Sequence, residues 1–299
     1  MDNLALKIEG LHKSYGRVTA LRGVNLEVKQ GQIFGFLGPN GAGKTTTIRC
    51  LLDLIRPQSG TIRVLGLDPQ TNSLAVRDRV GYLPGELNLE SNLTAENILH
   101  YFNSLRGQKV EWGYVRRLAE RLDLNLSTAI KNMSKGNKQK VGVVQALMSR
   151  PELLLLDEPT SGLDPLIQQE VYRLLQEARQ DGATIFFSSH IISEVETIAE
   201  QVAIIRDGVI VEVAEPHHLM KMSMRRARIR FSEPVDSLPL AQLPGITLLD
   251  HDPNNATVQI EGEMGSLIKA LATFPVRDLE TERPSLEELF LAYYERAKS

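Results

Sequence analysis

Gln32-Ile33-Phe34-Gly35-Phe36-Leu37 runs directly into Gly38-Pro39-Asn40-Gly41-Ala42-Gly43-Lys44-Thr45-Thr46, and a helical apolar pattern occupies residues 44–55. A short apolar strand, a glycine-rich turn and a helix, in that order, are the setting of a phosphate cradle. Glycines let successive backbone N–H groups turn inward around phosphate oxygens, and the helix start adds its positive end. Residues 38–45 satisfy the spacing G-x-x-x-x-G-K-[ST] at every fixed position. In such a loop the Lys44 ammonium reaches the β- and γ-phosphates and the Thr45 hydroxyl binds Mg2+. Gly38, Pro39, Asn40, Gly41, Ala42, Gly43, Lys44, Thr45 and Thr46 are the expected nucleotide contacts, Lys44 with a catalytic share and Thr45 as a metal ligand.

A second stretch belongs with the first. Leu153-Leu154-Leu155-Leu156 is an apolar strand that ends in Asp157-Glu158. A strand ending in an acid carries that carboxylate to the edge of an open α/β sheet where ligands bind. Asp157 is the expected Mg2+ ligand there, and Glu158 the base that polarises the attacking water. An acidic pair after a strand is ordinarily just a solvated strand end; the phosphate loop upstream reverses that reading.

Around these two stretches the pattern sorts by region. The first 35 residues read as alternating strands, with Ala5, Leu6 and Ile8 in one and Val24, Leu26 and Val28 in another. Residues 85–150 read as helices, Thr94 capping one that runs through Leu105 with Glu96 near its positive end. From residue 153 onward strands alternate with helices, which argues for a parallel sheet covered by helices. Asp207-Gly208 between two apolar runs signals a hairpin with a type I′ turn. A closing helix is expected from Pro216 to about Lys221.

Past that point Ala227, Ile229 and Phe231 alternate with Arg226, Arg228 and Arg230, a half-buried strand with one basic face. The plain reading of the basic stretch from Arg225 to Arg230 is a solvated face, and contact with lipid headgroups is the alternative. Pro234, Pro239 and Pro244 surround a possible short helix, and strands at 246–249 and 257–260 flank the turn residues 252–255. A helix over 265–274, a strand over 276–280 and a last helix capped by Ser285 and Glu288 follow. That order suggests a ferredoxin-like unit. The expected domains are thus 1–221 and 222–299, in keeping with a chain of 299 residues.

Composition narrows the class. The single cysteine, Cys50, excludes a disulfide-built scaffold, and a net charge of −3 gives no drive toward nucleic acid, so no nucleic-acid partner is expected. No apolar run approaches the roughly 18 to 20 residues that cross a bilayer. Met1-Asp2-Asn3-Leu4 has neither the basic region nor the apolar stretch of a signal peptide, so a cytosolic chain is expected. His217-His218 has no third ligand at metal-site spacing and reads as a surface pair. Trp112 reads as packing or a surface anchor on the helical region.

With the loop and the acidic pair in place, residues 4–219 resemble the ATP-binding cassette ATPases. Ser134-Lys135-Gly136-Asn137-Lys138-Gln139 is similar to the family's signature motif, with Lys135 and Asn137 as departures. Ser161-Gly162-Leu163-Asp164 resembles its D-loop, Ser188-Ser189-His190 its switch histidine, and Tyr15 the aromatic residue on which adenine stacks. The resemblance implies a P-loop (RecA-like) α/β core with an N-terminal antiparallel β subdomain, a helical subdomain at about 85–150 and an added α+β unit. It implies ATP and Mg2+ as cofactors, His190 as a catalytic group, and Ser134, Gly136, Asn137, Gln139 and Asp164 as nucleotide contacts. Since one chain has one cradle and one signature helix, a second copy packed head to tail is the implied partner. A transmembrane permease subunit would dock near 85–105 and place the chain at the cytoplasmic face of the membrane.

One position departs from the family. Where it usually has a glutamine that senses Mg2+, this sequence has Gly85, and Glu86 is the candidate to supply an oxygen ligand from the next residue. The signature style and the C-terminal unit, with Pro284-Ser285-Leu286-Glu287-Glu288-Leu289-Phe290 near its end, look like the ATPase subunits of bacterial multidrug and antibiotic exporters. The alternatives are a cassette acting on ribosomes or DNA and a regulatory protein with a dead site. The first usually needs tandem cassettes or long coiled coils, and the second is disfavoured by intact Lys44, Asp157, Glu158 and His190.

Overall fold

Ile33–Leu37 forms β3, buried at all five positions, because it lies inside the larger sheet with a parallel neighbour on each side. In this computed structural model residues 3–89, 92–107, 110–216, 225–261 and 264–282 are described. The sheet containing β3 has six strands in the order β5-β6-β7-β3-β8-β9. These are β5 (Val80–Leu83), β6 (Leu153–Asp157), β7 (Thr184–Ser189), β8 (Gln201–Arg206) and β9 (Val209–Ala214). All neighbours are parallel except the β8–β9 hairpin, whose turn places Asp207 and Gly208 at φ 49° and 78° as a type I′ turn requires. Strands covered on both faces read as continuous apolar runs, which is why β6 and β7 are buried throughout.

A three-stranded antiparallel sheet, β2-β1-β4, is built from β1 (Leu4–Tyr15), β2 (Val18–Lys29) and β4 (Ser59–Val64). Its alternating residues Leu6, Ile8, Val24 and Leu26 share one core with Phe34, Phe36 and Phe186 of the large sheet. The helix α1 (Lys44–Leu51) lies in the same core through Ile48, Cys50 and Leu51. It stops earlier than the apolar pattern through residue 55 predicts. Asp53, in the left-handed region at φ 50°, ends it with an amide that returns to the Cys50 carbonyl.

The helices between β5 and β6 are α3 (Ala95–Leu105), α4 (Trp112–Arg121) and α5 (Lys135–Leu147), with α2 (Ser73–Arg79) preceding β5. Thr94 caps α3 by accepting the Asn97 amide, as its sequence position indicates. Trp112 stacks on His100 with ring centroids 3.6 Å apart, so it joins α4 to α3. Beyond β6 come α6 (Pro165–Gln180) and α7 (Ile192–Ile198). Arg121 spans from α4 to α6, meeting Glu170 at 2.5 Å and Glu177 through two hydrogen bonds.

The chain divides into two compact units, Met1–Ala214 and Glu215–Ser299. In the second, β10 (Arg225–Phe231), β11 (Ile246–Asp252), β12 (Asn255–Ile260) and β13 (Val276–Glu282) form an antiparallel sheet in the order β11-β12-β10-β13. With α8 (Gly265–Leu271) between β12 and β13, this is the ferredoxin-like strand order. The short helix between β10 and β11 is a 3₁₀ helix, Leu238–Gln242. Pro239 lies in its first turn, where no helical hydrogen bond is lost, and Pro244 holds the preceding Leu243 in an extended conformation that ends the turn. Arg228 and Arg230 stand opposite Glu280 and Asp278 of β13, and the Arg230 guanidinium meets both carboxylates, at 3.9 Å from Asp278 and 3.3 Å from Glu280. The helix past Pro216, His217-His218, and the last helix with its Ser285–Glu288 cap lie outside the described residues.

Candidate active site

The glycine-rich turn at the end of β3 is fixed by close backbone approach. Gly38 donates its amide to the Ser189 carbonyl at 3.1 Å, and a Cβ on it would stand 2.3 Å from the Ile205 carbonyl oxygen. Gly43 has φ 112°, a conformation open to glycine, and a Cβ there would meet Ala20 O at 2.8 Å. Asn40 and Gly41 are exposed at the tip, Ala42 is buried, and Pro39 and Thr46 are half-buried. The Lys44 side chain, 5% exposed, turns back along this loop and donates to the carbonyls of Gly38 (2.6 Å) and Pro39 (3.1 Å). Burial holds its amine below the ordinary lysine value, while the charges of Glu158 and Asp157 pull it back up.

The acidic pair arrives beside that lysine. Asp157 accepts the Thr45 hydroxyl at 2.6 Å on one oxygen and the Ser188 hydroxyl at 2.5 Å on the other. Glu158 turns out of the strand at φ 51°, and its amide donates to both the carbonyl and the hydroxyl oxygen of Ser188. Its carboxylate lies 3.8 Å from Lys44 Nζ and 3.0 Å from His190 Nδ1. Lys44, Thr45, Asp157, Glu158 and His190, distant in sequence, are thus one connected group.

Thr45 and Asp157 present adjacent hard oxygen donors, the chemistry that suits Mg2+. Glu86 is exposed and shares no hydrogen bond or ion pair with this group. Instead Gly85 lies against it, since a Cβ at that position would be 3.0 Å from Asp157 Oδ2.

Other sequence-derived candidates are placed elsewhere within the chain. Ser134 is the N-cap of α5 and accepts the Asn137 amide. Gly136 packs so closely on the Gly162 carbonyl that a Cβ would be 2.6 Å from it. Asp164 caps α6 by accepting the amides of Leu166 and Ile167. Tyr15 is exposed, with Lys13 Nζ 5.3 Å from its ring. Gln139 is buried, and its amide donates to the Glu158 and Pro159 carbonyls at 2.9 and 3.1 Å, so within its own chain it supports the turn that carries Glu158. Ser188, completely buried, is a site residue that sequence reasoning missed. The available signal was a polar residue at the inner end of an apolar strand.

Comparison with known proteins agrees with this geometry. The sequence profile described as ABC transporter matches residues 21–161. The chain is similar to the bacitracin transport ATP-binding protein BcrA of Bacillus licheniformis, 39% identical over 76% of this chain and 75% of that one. It is also similar to the daunorubicin resistance ATP-binding protein DrrA3 of Streptomyces coeruleorubidus, 31% identical over 97% of this chain and 96% of that one. Among solved structures, an ATP-binding subunit of an ABC transporter matches with TM-score 0.66 and 30% identity, covering 73% of this chain and 92% of that chain. The cradle, the acidic pair and these relatives together make the chain an ATP-binding, ATP-hydrolysing member of the ABC transporter family.

Proposed function

We propose that this chain powers export of a substrate through a separate transmembrane subunit, working as a head-to-tail pair of copies at the cytoplasmic face of the membrane. The observation that carries this reading is the grip on Glu158, whose carboxylate sits between Lys44 and His190. Ser134 and Asp164 share no hydrogen bond with that group in their own chain. In the pair, the α5 N-terminus of one copy faces the γ-phosphate held by the other, and both positive ends converge on it.

Each pocket works through its own residues. Loop amides and Lys44 hold the β- and γ-phosphates, and Lys44 leaves the carbonyls of Gly38 and Pro39 to do so. Thr45 and Asp157 would hold Mg2+, which would neutralise phosphate charge when bound. Glu158 takes a proton from the water that attacks the γ-phosphorus, the bond to the ADP oxygen breaks, and phosphate carries the new oxygen away. His190 keeps the Glu158 carboxylate aimed. Tyr15 stacks on adenine. Loss of the γ-phosphate removes the link between copies and lets them part.

Among the described residues no helix is long and apolar enough to cross a membrane. Tyr101 and Leu105 are exposed on α3 and support docking near 85–105. The names of relatives, bacitracin transport and daunorubicin resistance, favour an antibiotic-class substrate. Residues 222–299 serve as an accessory module that stabilises or regulates the pair.

The test is Glu158→Gln. It removes the base and keeps the loop, so nucleotide binding persists, a stable dimer appears with ATP in size-exclusion chromatography, and turnover falls about 10²- to 10⁴-fold. Wild-type turnover in this variant, or a monomer at saturating ATP, overturns the scheme.

A further inference from the structure

A buried acid that takes no part in these steps lies behind the site. Glu194 on α7 is 8% exposed, and its two oxygens accept hydroxyls from two different segments. Thr160 Oγ1 donates to one oxygen, and Ser189 Oγ donates to the other at 2.5 Å. Thr160 and Ser189 are themselves buried. Tyr172 of α6 borders the same pair, and burial next to Glu194 pushes its phenol up to about 12. An apolar side chain would fill this space without desolvating a carboxylate. The acid is therefore explained by what it joins.

What it joins are the two limbs of the site. Thr160 stands two residues beyond Glu158 and accepts the Leu163 amide in the turn that delivers Asp164 to α6. Ser189 immediately precedes His190, and its hydroxyl oxygen also receives the Ile191 amide at 2.9 Å. The front tie between the limbs is the 3.0 Å contact of His190 with Glu158. Glu194 is the tie at the back.

We infer that Glu194 is a positioning residue that, through Thr160 and Ser189, holds the Glu158–Asp164 turn and the His190 arm as one body during turnover. Consequently a shift of His190 on loss of the γ-phosphate also shifts Asp164. The inference rests on the roles given above to Glu158 and His190.

The experiment uses the full chain, with ATP as the probe. Glu194→Met removes both acceptors at similar volume, Thr160→Val removes one hydroxyl, and Glu194→Gln and Thr160→Ser are the conservative partners. Glu194→Met and Thr160→Val each lower kcat about tenfold through misplacement alone and leave KM for ATP within about twofold. The double variant is no slower than the slower single variant, because both remove one linkage. Glu194→Gln and Thr160→Ser recover most of the loss. In hydrogen exchange, the amides of residues 160–164 and 189–191 accelerate together in Glu194→Met, while those of α1 do not. Losses that multiply in the double variant, a KM that rises as kcat falls, or acceleration of one segment without the other overturns the inference. Glu158→Gln run in parallel separates the two readings: retained turnover there faults the base assignment, while the exchange data still decide the role of Glu194.

Discussion

At the scale of single residues, Ser188 carries more than its size suggests. Its hydroxyl donates to Asp157 and accepts from the Glu158 amide, so one buried oxygen sets the spacing between the two acids. Ser188→Ala takes one of the two hydroxyl bonds from buried Asp157 and leaves the Glu158 amide only the Ser188 carbonyl. It is expected to cost about 1–3 kcal/mol of stability and to lower kcat while ATP affinity stays unchanged, because the phosphate loop is untouched. Urea unfolding and turnover at saturating ATP measure the two effects. Lys44, Thr45, Asp157 and Glu158 were legible in the sequence because each belongs to a short contiguous pattern. Ser188, Thr160 and Glu194 were not, since their roles depend on which strands become neighbours. The pairing of Asp157 with Ser188 across β6 and β7 joins positions that no local pattern links. The inward bonds of Gln139 were hidden for the same reason, since helix packing brings its side chain onto the turn that carries Glu158.

At the scale of elements, strands were easier to read than helix ends. A run such as 153–156 announces a doubly covered strand, and the period of 2 in β2 announces a half-covered one. The end of α1 and the early stop of the short helix at Leu238–Gln242 depend on backbone terms, a left-handed Asp53 and the proline after Leu243, that apolar periodicity does not see. Joints between elements were invisible too, and the strongest is Arg121 with Glu170 and Glu177, which ties α4 to α6. Because Glu177 is half exposed, Arg121→Ala is expected to cost only about 1 kcal/mol near neutral pH. The hydrogen bond from Arg121 holds Glu177 below its ordinary value of 4.5. A lowered folded-state pKa gives stability that is full above the unfolded value and is lost as pH falls through the folded one. The difference in urea midpoint between wild type and Arg121→Ala therefore shrinks as pH drops from about 7 to about 3.

At the scale of the whole molecule, a formal net charge of −3 leaves association to specific surfaces rather than to a general field. One described feature also makes the chain its own gauge of opening. Cys50 is sealed on the inner side of α1, directly after the phosphate loop, and burial pushes its thiol up to about 11. At pH 8 only about one molecule in a thousand carries a thiolate, so an alkylating reagent must wait for the core to part. The rate at which the mass of one adduct appears then counts those partings. Occupancy of the loop at a hundred times the dissociation constant adds about 2.7 kcal/mol to the closed state, so saturating ATP is expected to slow the reaction roughly a hundredfold. Every molecule thus carries a built-in clock, wound by its own fuel, that runs without a dye, a tag or a membrane.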